Sequence, residues 1–184
     1  PGDRHAEYNE GVFVGYRYYD KKEMAVRYPF GHGLSYTTFE YSDIKLSDTT
    51  VGDDDILTVN AVITNTGNCV GKEIVQLYVA DKSGFAVRPE KELKDFIKIE
   101  LQPGESKTVT FRLDKRAFSY YNEELGDWYA PNGKYDIMIA SSSRDIRLTA
   151  EVTHKTAVKL PFVATENTVF GEFMDYAEGK ATID

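Results

Sequence analysis

Leu57, Val59, Ala61 and Ile63 alternate with Thr58, Asn60, Val62 and Thr64, a period of two that predicts a strand with one face on a core. The same rhythm recurs along the chain. Phe39, Tyr41, Ile44 and Leu46 suggest a first strand, and Val75, Leu77 and Val79 oppose Ile74, Gln76 and Tyr78 in another. "ELKDFIKIEL", "SKTVTFRLD" (Val109, Phe111, Leu113), "KYDIMIASSS" (Tyr135, Ile137, Ile139) and "DIRLTAEVT" (Ile146, Leu148, Ala150, Val152) continue the series. Turn chemistry separates the runs: "NTGN", "QPGE" with proline where its fixed φ suits a turn, and "PNG". No helical window falls between about 39 and 153. The pattern predicts an all-β fold, an antiparallel β-sandwich of seven to eight strands with fibronectin type III or immunoglobulin-like character.

The two ends break this rhythm. Residues 1–38 are rich in glycine and aromatics, with Phe13, Tyr16, Tyr18, Tyr19, Tyr28, Phe30 and Tyr36 set among Arg17, Arg27 and His32, and read as an irregular extension. At the other end, Phe170, Phe173, Met174 and Ala177 recur at helical spacing behind Thr168 as an N-cap, predicting a short amphipathic helix. One such helix cannot bury its own face, so it needs a surface to dock on. The expected division is therefore 1–38 as a connector, 39–155 as the sandwich, and 156–184 as linker and helical tail.

The 184 residues allow one sizeable domain with appendages. A net charge of −8 repels phosphate backbones and argues against nucleic acid as a partner. No stretch approaches the roughly 20 apolar residues of a membrane span. Cys69 is the only cysteine, so no intrachain disulfide can form. The amino-terminal "PGDRHAEYNE" lacks the apolar run of a signal peptide and suggests a piece of a longer protein. Compartment stays open, with the unpaired Cys69 tipping a parent toward the bacterial cytoplasm over secretion.

Thirty Asp and Glu residues invite a search for hydrolytic chemistry. Asp53, Asp54 and Asp55 lack the spaced ligands and glycine of a calcium loop, and read as a solvated turn. Glu123, Glu124 and Asp127 flank the only tryptophan in "NEELGDWY", where an apolar wall can raise a carboxyl pKa, yet the stretch also reads as a hairpin or bulge. His5, His32 and His154 share no metal-ligand spacing with one another or with Cys69. Ser141, Ser142 and Ser143 lack a nucleophile-elbow context and read as a turn. No catalytic residue, metal ligand or cofactor site follows from these patterns. Trp128 and Tyr129 form a candidate sugar-stacking pair, set against a reading of Trp128 as sandwich core.

"EGVFVGYRYYD" and "YPFGHGLSYTTFEYS" resemble the connector near the carboxyl terminus of glycoside hydrolase family 3, the β-glucosidase and β-xylosidase family. In that family the connector leads from an α/β domain into a fibronectin type III-like domain. "VITNTGNCVGKEIVQLYVAD", "RPEKELKDFIKIELQPGESKTVTFRLD" and "PNGKYDIMIASSSRDIRL" resemble successive pieces of that domain, so the likeness runs over about 10–153. Tyr28 stands where Phe is frequent, and "TENTVFGEFMDYAEGK" resembles the helical tail of some bacterial members.

The resemblance implies a parent with a retaining mechanism, its two carboxyls about 5–5.5 Å apart. The nucleophilic aspartate would lie in a barrel and the acid/base glutamate in a middle domain. Neither motif matches a position here, so the resemblance carries no catalytic residue and implies an inactive, structural segment. Its partners would be the catalytic domains of the same chain. Tyr16, Arg17, Tyr18, Tyr19, Phe30 and His32 are the candidates for docking on them, since such residues give broad hydrogen-bonding contact area. Separated from those domains, the connector or the tail helix is expected to support self-association. A carbohydrate-binding module that anchors the parent on a polymer through Trp128, Tyr129 or the tyrosines of residues 1–38 is the competing reading.

Overall fold

The computed structural model describes residues 9–161. The predicted tail helix from Phe170 to Ala177 and His5 lie outside them. Among the described residues, ten strands form two principal sheets and one small hairpin. The first sheet orders β1 (Phe39–Leu46), β3 (Leu57–Asn65) and β6 (Ser106–Leu113). The second orders β2 (Thr50–Val51), β10 (Asp145–His154), β9 (Gly133–Ser142), β4 (Gly71–Asp81) and β5 (Glu92–Leu101). Pairing is antiparallel throughout, except that β2 runs parallel to β10.

The core follows from the alternation. Leu57, Val59 and Ala61 stand opposite Leu113, Phe111 and Val109 in the β3–β6 register, and all six are buried. Leu77 and Val79 pair with Ile139 and Ile137 on the facing sheet, which supplies the second inner wall. These side chains belong to one continuous apolar cluster, the interdigitated centre of an aligned sandwich. At about 25 cal/mol per Å² of apolar surface removed from water, such a cluster is the main source of stability in a chain without disulfides.

Every long predicted strand is present. The additions are too short to show a period: β2, and the hairpin of β7 (Tyr120–Asn122) and β8 (Asp127–Tyr129). Two helices correct the expectation of none between the strands and of an irregular connector. α1 (Tyr16–Lys21) lies in the amino-terminal segment, and α2 (Lys115–Phe118) follows β6. α2 is a single turn capped by Asp114, whose carboxylate accepts a hydrogen bond from Arg116 N at 3.0 Å. One turn is shorter than the repeat by which amphipathic helices are recognised.

The carboxyl-terminal half of β4 is buried on both faces. Gln76, Tyr78 and Ala80 point away from the sandwich core and are nonetheless covered. The amino-terminal segment covers Gln76 and Tyr78.

Candidate functional site

Residues 16–31 are held against the outer face of the five-stranded sheet by specific bonds. The Tyr16 ring stacks on Phe30 with centroids 4.6 Å apart and meets Tyr78 edge-on at 6.2 Å. Its hydroxyl accepts a hydrogen bond from Leu93 N at 2.8 Å. Burial pushes the Tyr78 phenol up, and Tyr78 donates to Gln76 Oε1 at 2.6 Å. Gln76 Nε2 in turn donates to Gly31 O and Ser141 O, and Ser143 N donates to Phe30 O. Gly31, at φ +77°, is needed here, because a Cβ would fall 2.2 Å from Gln76 Oε1.

Charges complete the attachment. Asp20 lies 2.8 Å from Arg144 Nε and 3.2 Å from Lys91 Nζ, while Arg144 Nη2 donates to Tyr19 O and Met24 O. Arg17 pairs with Glu92 at 3.4 Å and Lys21 with Glu90 at 3.0 Å. Farther along, Thr37 Oγ1 donates to Asn65 Oδ1 at 2.6 Å. Asn65 is fully buried, and its amide donates to Cys69 O and Leu101 O. Within "NTGN", a stretch legible only as a turn, this side chain ties the segment to the end of the sandwich.

The structure thus divides the docking candidates into two groups. Tyr16 and Arg17 are engaged with the chain's own sheet, and Phe30 bridges the groups, stacked on Tyr16 and bonded through its carbonyl yet 46% exposed. Tyr18 and Tyr19 are each more than 40% exposed, and exposed His32 stacks on Tyr28 with centroids 5.5 Å apart. Also exposed in this segment are Val12, Val14, Met24 and Leu34 at 93%, which the sequence pattern did not single out, and Tyr36 at 100%.

A second group of charges surrounds Arg88, which the sequence reading did not single out. Arg88 lies between Asp81 at 3.1 Å and Glu92 at 2.8 Å, and its guanidinium donates to Phe118 O and Ser119 O. Glu92 is shared further with Arg17 and Lys94. Burial acts to raise the Glu92 carboxyl, yet Lys94, Arg88 and Arg17 together hold it below its ordinary value. Burial pushes the Lys94 ammonium down despite its Glu92 partner.

The sugar-stacking pair separates. Tyr129 is buried, packed against Phe85 and Tyr120. Trp128 is half-buried at the sandwich edge, with the Arg116 guanidinium 3.6 Å above its ring and Tyr121 edge-on at 5.7 Å. It is not wedged between the sheets. Glu123, Glu124 and Asp127 are exposed around the β7–β8 hairpin. Asp54 and Asp55 are exposed as expected of a turn, but Asp53 is half-buried, accepting from Thr156 Oγ1 at 2.5 Å and lying 3.5 Å from Lys115 Nζ. Ser141 and Ser142 end β9 and Ser143 begins the β9–β10 turn. Among the described residues, no three His, Cys, Asp or Glu side chains are grouped to hold a metal, and no helix is long and apolar enough to cross a membrane.

Residues 73–143 match the family model described as a fibronectin type III-like domain. The whole chain is 50% identical to thermostable β-glucosidase B of Acetivibrio thermocellus, covering 24% of that protein. It is 46% identical over 174 residues to an exo-α-(1→6)-L-arabinopyranosidase of Bifidobacterium breve, covering 22% of it. The crystal structure of a glycoside hydrolase family 3 β-glucosidase of Bifidobacterium adolescentis superposes on the entire chain with a TM-score of 0.84 at 42% identity, and the chain covers 27% of it. The chain spans about a quarter of the length of these relatives.

Proposed function

From a chain homologous along its length to family 3 β-glucosidases, yet spanning about a quarter of them, we propose a non-catalytic, carboxyl-terminal part of a retaining β-glucosidase-like hydrolase. Its role is to pack against the catalytic domains and stabilise them. The parent's reaction, removal of terminal β-D-glucosyl or related residues, belongs to this proposal. The observation that carries it is the two-sided amino-terminal segment. Its inner side is bonded to the sandwich through Tyr16, Asp20 and Gly31, while its outer side presents Tyr18, Tyr19, Leu34 and Tyr36. Large apolar side chains exposed on a segment that is itself tied to the sandwich suit an interdomain contact.

The test is made in the full-length protein that contains this chain. Leu34→Asp with Tyr36→Asp should lower its thermal stability and nitrophenyl β-glucoside hydrolysis together, while the 184-residue chain alone turns over no substrate. Turnover by the isolated chain that Glu123→Gln abolishes would overturn the reading. The same outward face accounts for the proposed self-association of the isolated chain, and sedimentation that stays monomeric at all concentrations would count against it.

A second reading is favoured by one observation. Trp128 remains partly exposed beside Tyr121, which is 52% exposed, so an aromatic edge is available to a carbohydrate. Tyr129 has no place in that reading as a stacking surface, because its ring is buried.

A further inference from the structure

A cavity of about 570 Å³ opens between β5, β6 and the β7–β8 hairpin, where Trp128 and Tyr121 contribute its aromatic lining. Its charge runs against that of the chain. Arg17, Arg88, Lys94, Arg112 and Arg116 line it, while only Glu92 and Asp114 supply carboxylates from within, in a protein of net charge −8.

The carboxylates present are already engaged. Glu92 serves three cations at 2.8 to 3.4 Å, and Asp114 caps α2. Asp81 reaches Arg88 from outside the cavity. Among the described residues, neither Arg112 nor Arg116 lies within ion-pairing distance of a carboxylate, and Arg116 instead rests on the Trp128 ring. Arg17, Arg88 and Lys94 are held by Glu92 and Asp81, whereas Arg112 and Arg116 stand exposed at the cavity's margin, where an arriving anion can reach them.

We propose that this cavity binds a carboxylated saccharide, a uronic acid residue, through these cations and the Trp128–Tyr121 edge. The proposal rests on the second reading above and narrows it to charged sugars. A guanidinium matches a carboxylate in a planar, forked geometry, and Arg112 and Arg116 have that capacity unused. The aromatic pair supplies apolar surface for a pyranose C–H face, which a bare inorganic anion or an acidic peptide would not use. Arg116 also discriminates against neutral sugars. A neutral ring stacking on Trp128 displaces the exposed guanidinium into water and forfeits its contact with the ring, whereas a uronate carboxylate replaces that contact with a charge-assisted hydrogen bond.

Trp128 is the only tryptophan, so its emission reports directly on the site. The chain is titrated with a glucuronosyl-glucose disaccharide, with cellobiose, with a tetra-aspartate peptide and with acetate, all at one ionic strength. The uronate disaccharide should give a saturable change in emission that weakens with added salt. Arg112→Gln and Arg116→Gln should each weaken it about tenfold or more, with melting temperature and calorimetric heats recorded to separate lost binding from lost fold. Arg112→Lys should recover part of the loss. No saturable signal in either fluorescence or calorimetry overturns the proposal. An equal response to cellobiose would retain the neutral-sugar reading and overturn this one, and a response to the peptide or acetate matching the uronate would overturn it as unselective anion binding.

Discussion

Asp20, on the helix of the amino-terminal segment, lies 2.8 Å from the guanidinium of Arg144, which stands 124 residues away at the β9–β10 turn. The Asp20 side chain is only 6% exposed and also faces Lys91 at 3.2 Å, so the contact bolts the segment to the sandwich from two directions. Asp20→Ala would leave Arg144 and Lys91 facing each other without a carboxylate. Breaking a buried pair costs about 3–5 kcal/mol, and the one-third exposure of Arg144 brings the expected loss to about 2–3 kcal/mol. Urea unfolding of Asp20→Ala, Arg144→Ala and the double variant would measure it. The double variant should lose less than the sum of the singles.

Gly31 carries the same attachment through its backbone. Replacement by alanine places a side chain at a left-handed φ, costing about 1–2 kcal/mol. It also drives the Gln76 amide from its bonds to Gly31 O and Tyr78. Gly31→Ala is therefore expected to destabilise the chain and speed amide exchange at Ser143, whose N–H donates to Phe30 O. Gly84→Ala, at φ +70° with open space around its Cβ, is the control for φ alone. Equal losses at the two positions would show that displacement of Gln76 contributes nothing.

Much of the sandwich was legible because β3 and β6 keep a strict period of two with one wet face, the condition under which a strand can be read from sequence. β4 obscures that signal. Gln76 and Tyr78 sit where a solvent face belongs, and only the attached segment, more than 40 residues earlier in sequence, explains their burial. The connector's aromatics pointed to contact, but composition could not say which rings face inward. Tyr16 and Tyr18 are two residues apart and separate because α1 turns one toward Tyr78 and leaves the other exposed. The Arg88 cluster was hidden for a different reason, since its partners come from β4, β5 and the end of α2.

Arg88 fixes the loop before β5 against the rest of the molecule. Its side chain is 9% exposed and makes two ion pairs while donating to two carbonyls at the end of α2. Arg88→Ala leaves Asp81 buried without its cation and should cost about 3–5 kcal/mol. Arg88→Lys keeps the charge but lacks the planar fork, and should recover only part of that loss. Chemical denaturation of the three proteins would rank them. Equal stability of the lysine variant and the parent chain would show that charge alone suffices.

The last prediction concerns acid sensitivity and turns on His154. The ring is fully buried, stacked 5.6 Å from Phe118, and its neutral form donates Nδ1–H to Pro131 O at 3.3 Å. Burial lowers its pKa from the ordinary histidine value, and Lys115 adds to that effect. Asp53, the Pro131 carbonyl and Asp55 act the other way without reversing it. A folded-state pKa below the unfolded value of about 6.5 means that the unfolded chain binds more protons between the two. This contribution to stability is therefore complete above about pH 6.5 and is lost as pH falls through the folded-state value. Glu92, held low by its cations, is expected to act in a more acidic range, below its ordinary value. His154→Phe preserves the ring stack, and Pro131 O keeps the Tyr135 hydroxyl as a donor at 3.0 Å. Urea midpoints for the parent chain should fall between pH 7 and pH 5, and the variant should fall less over the same interval. Parallel declines in the two proteins would remove His154 as the cause.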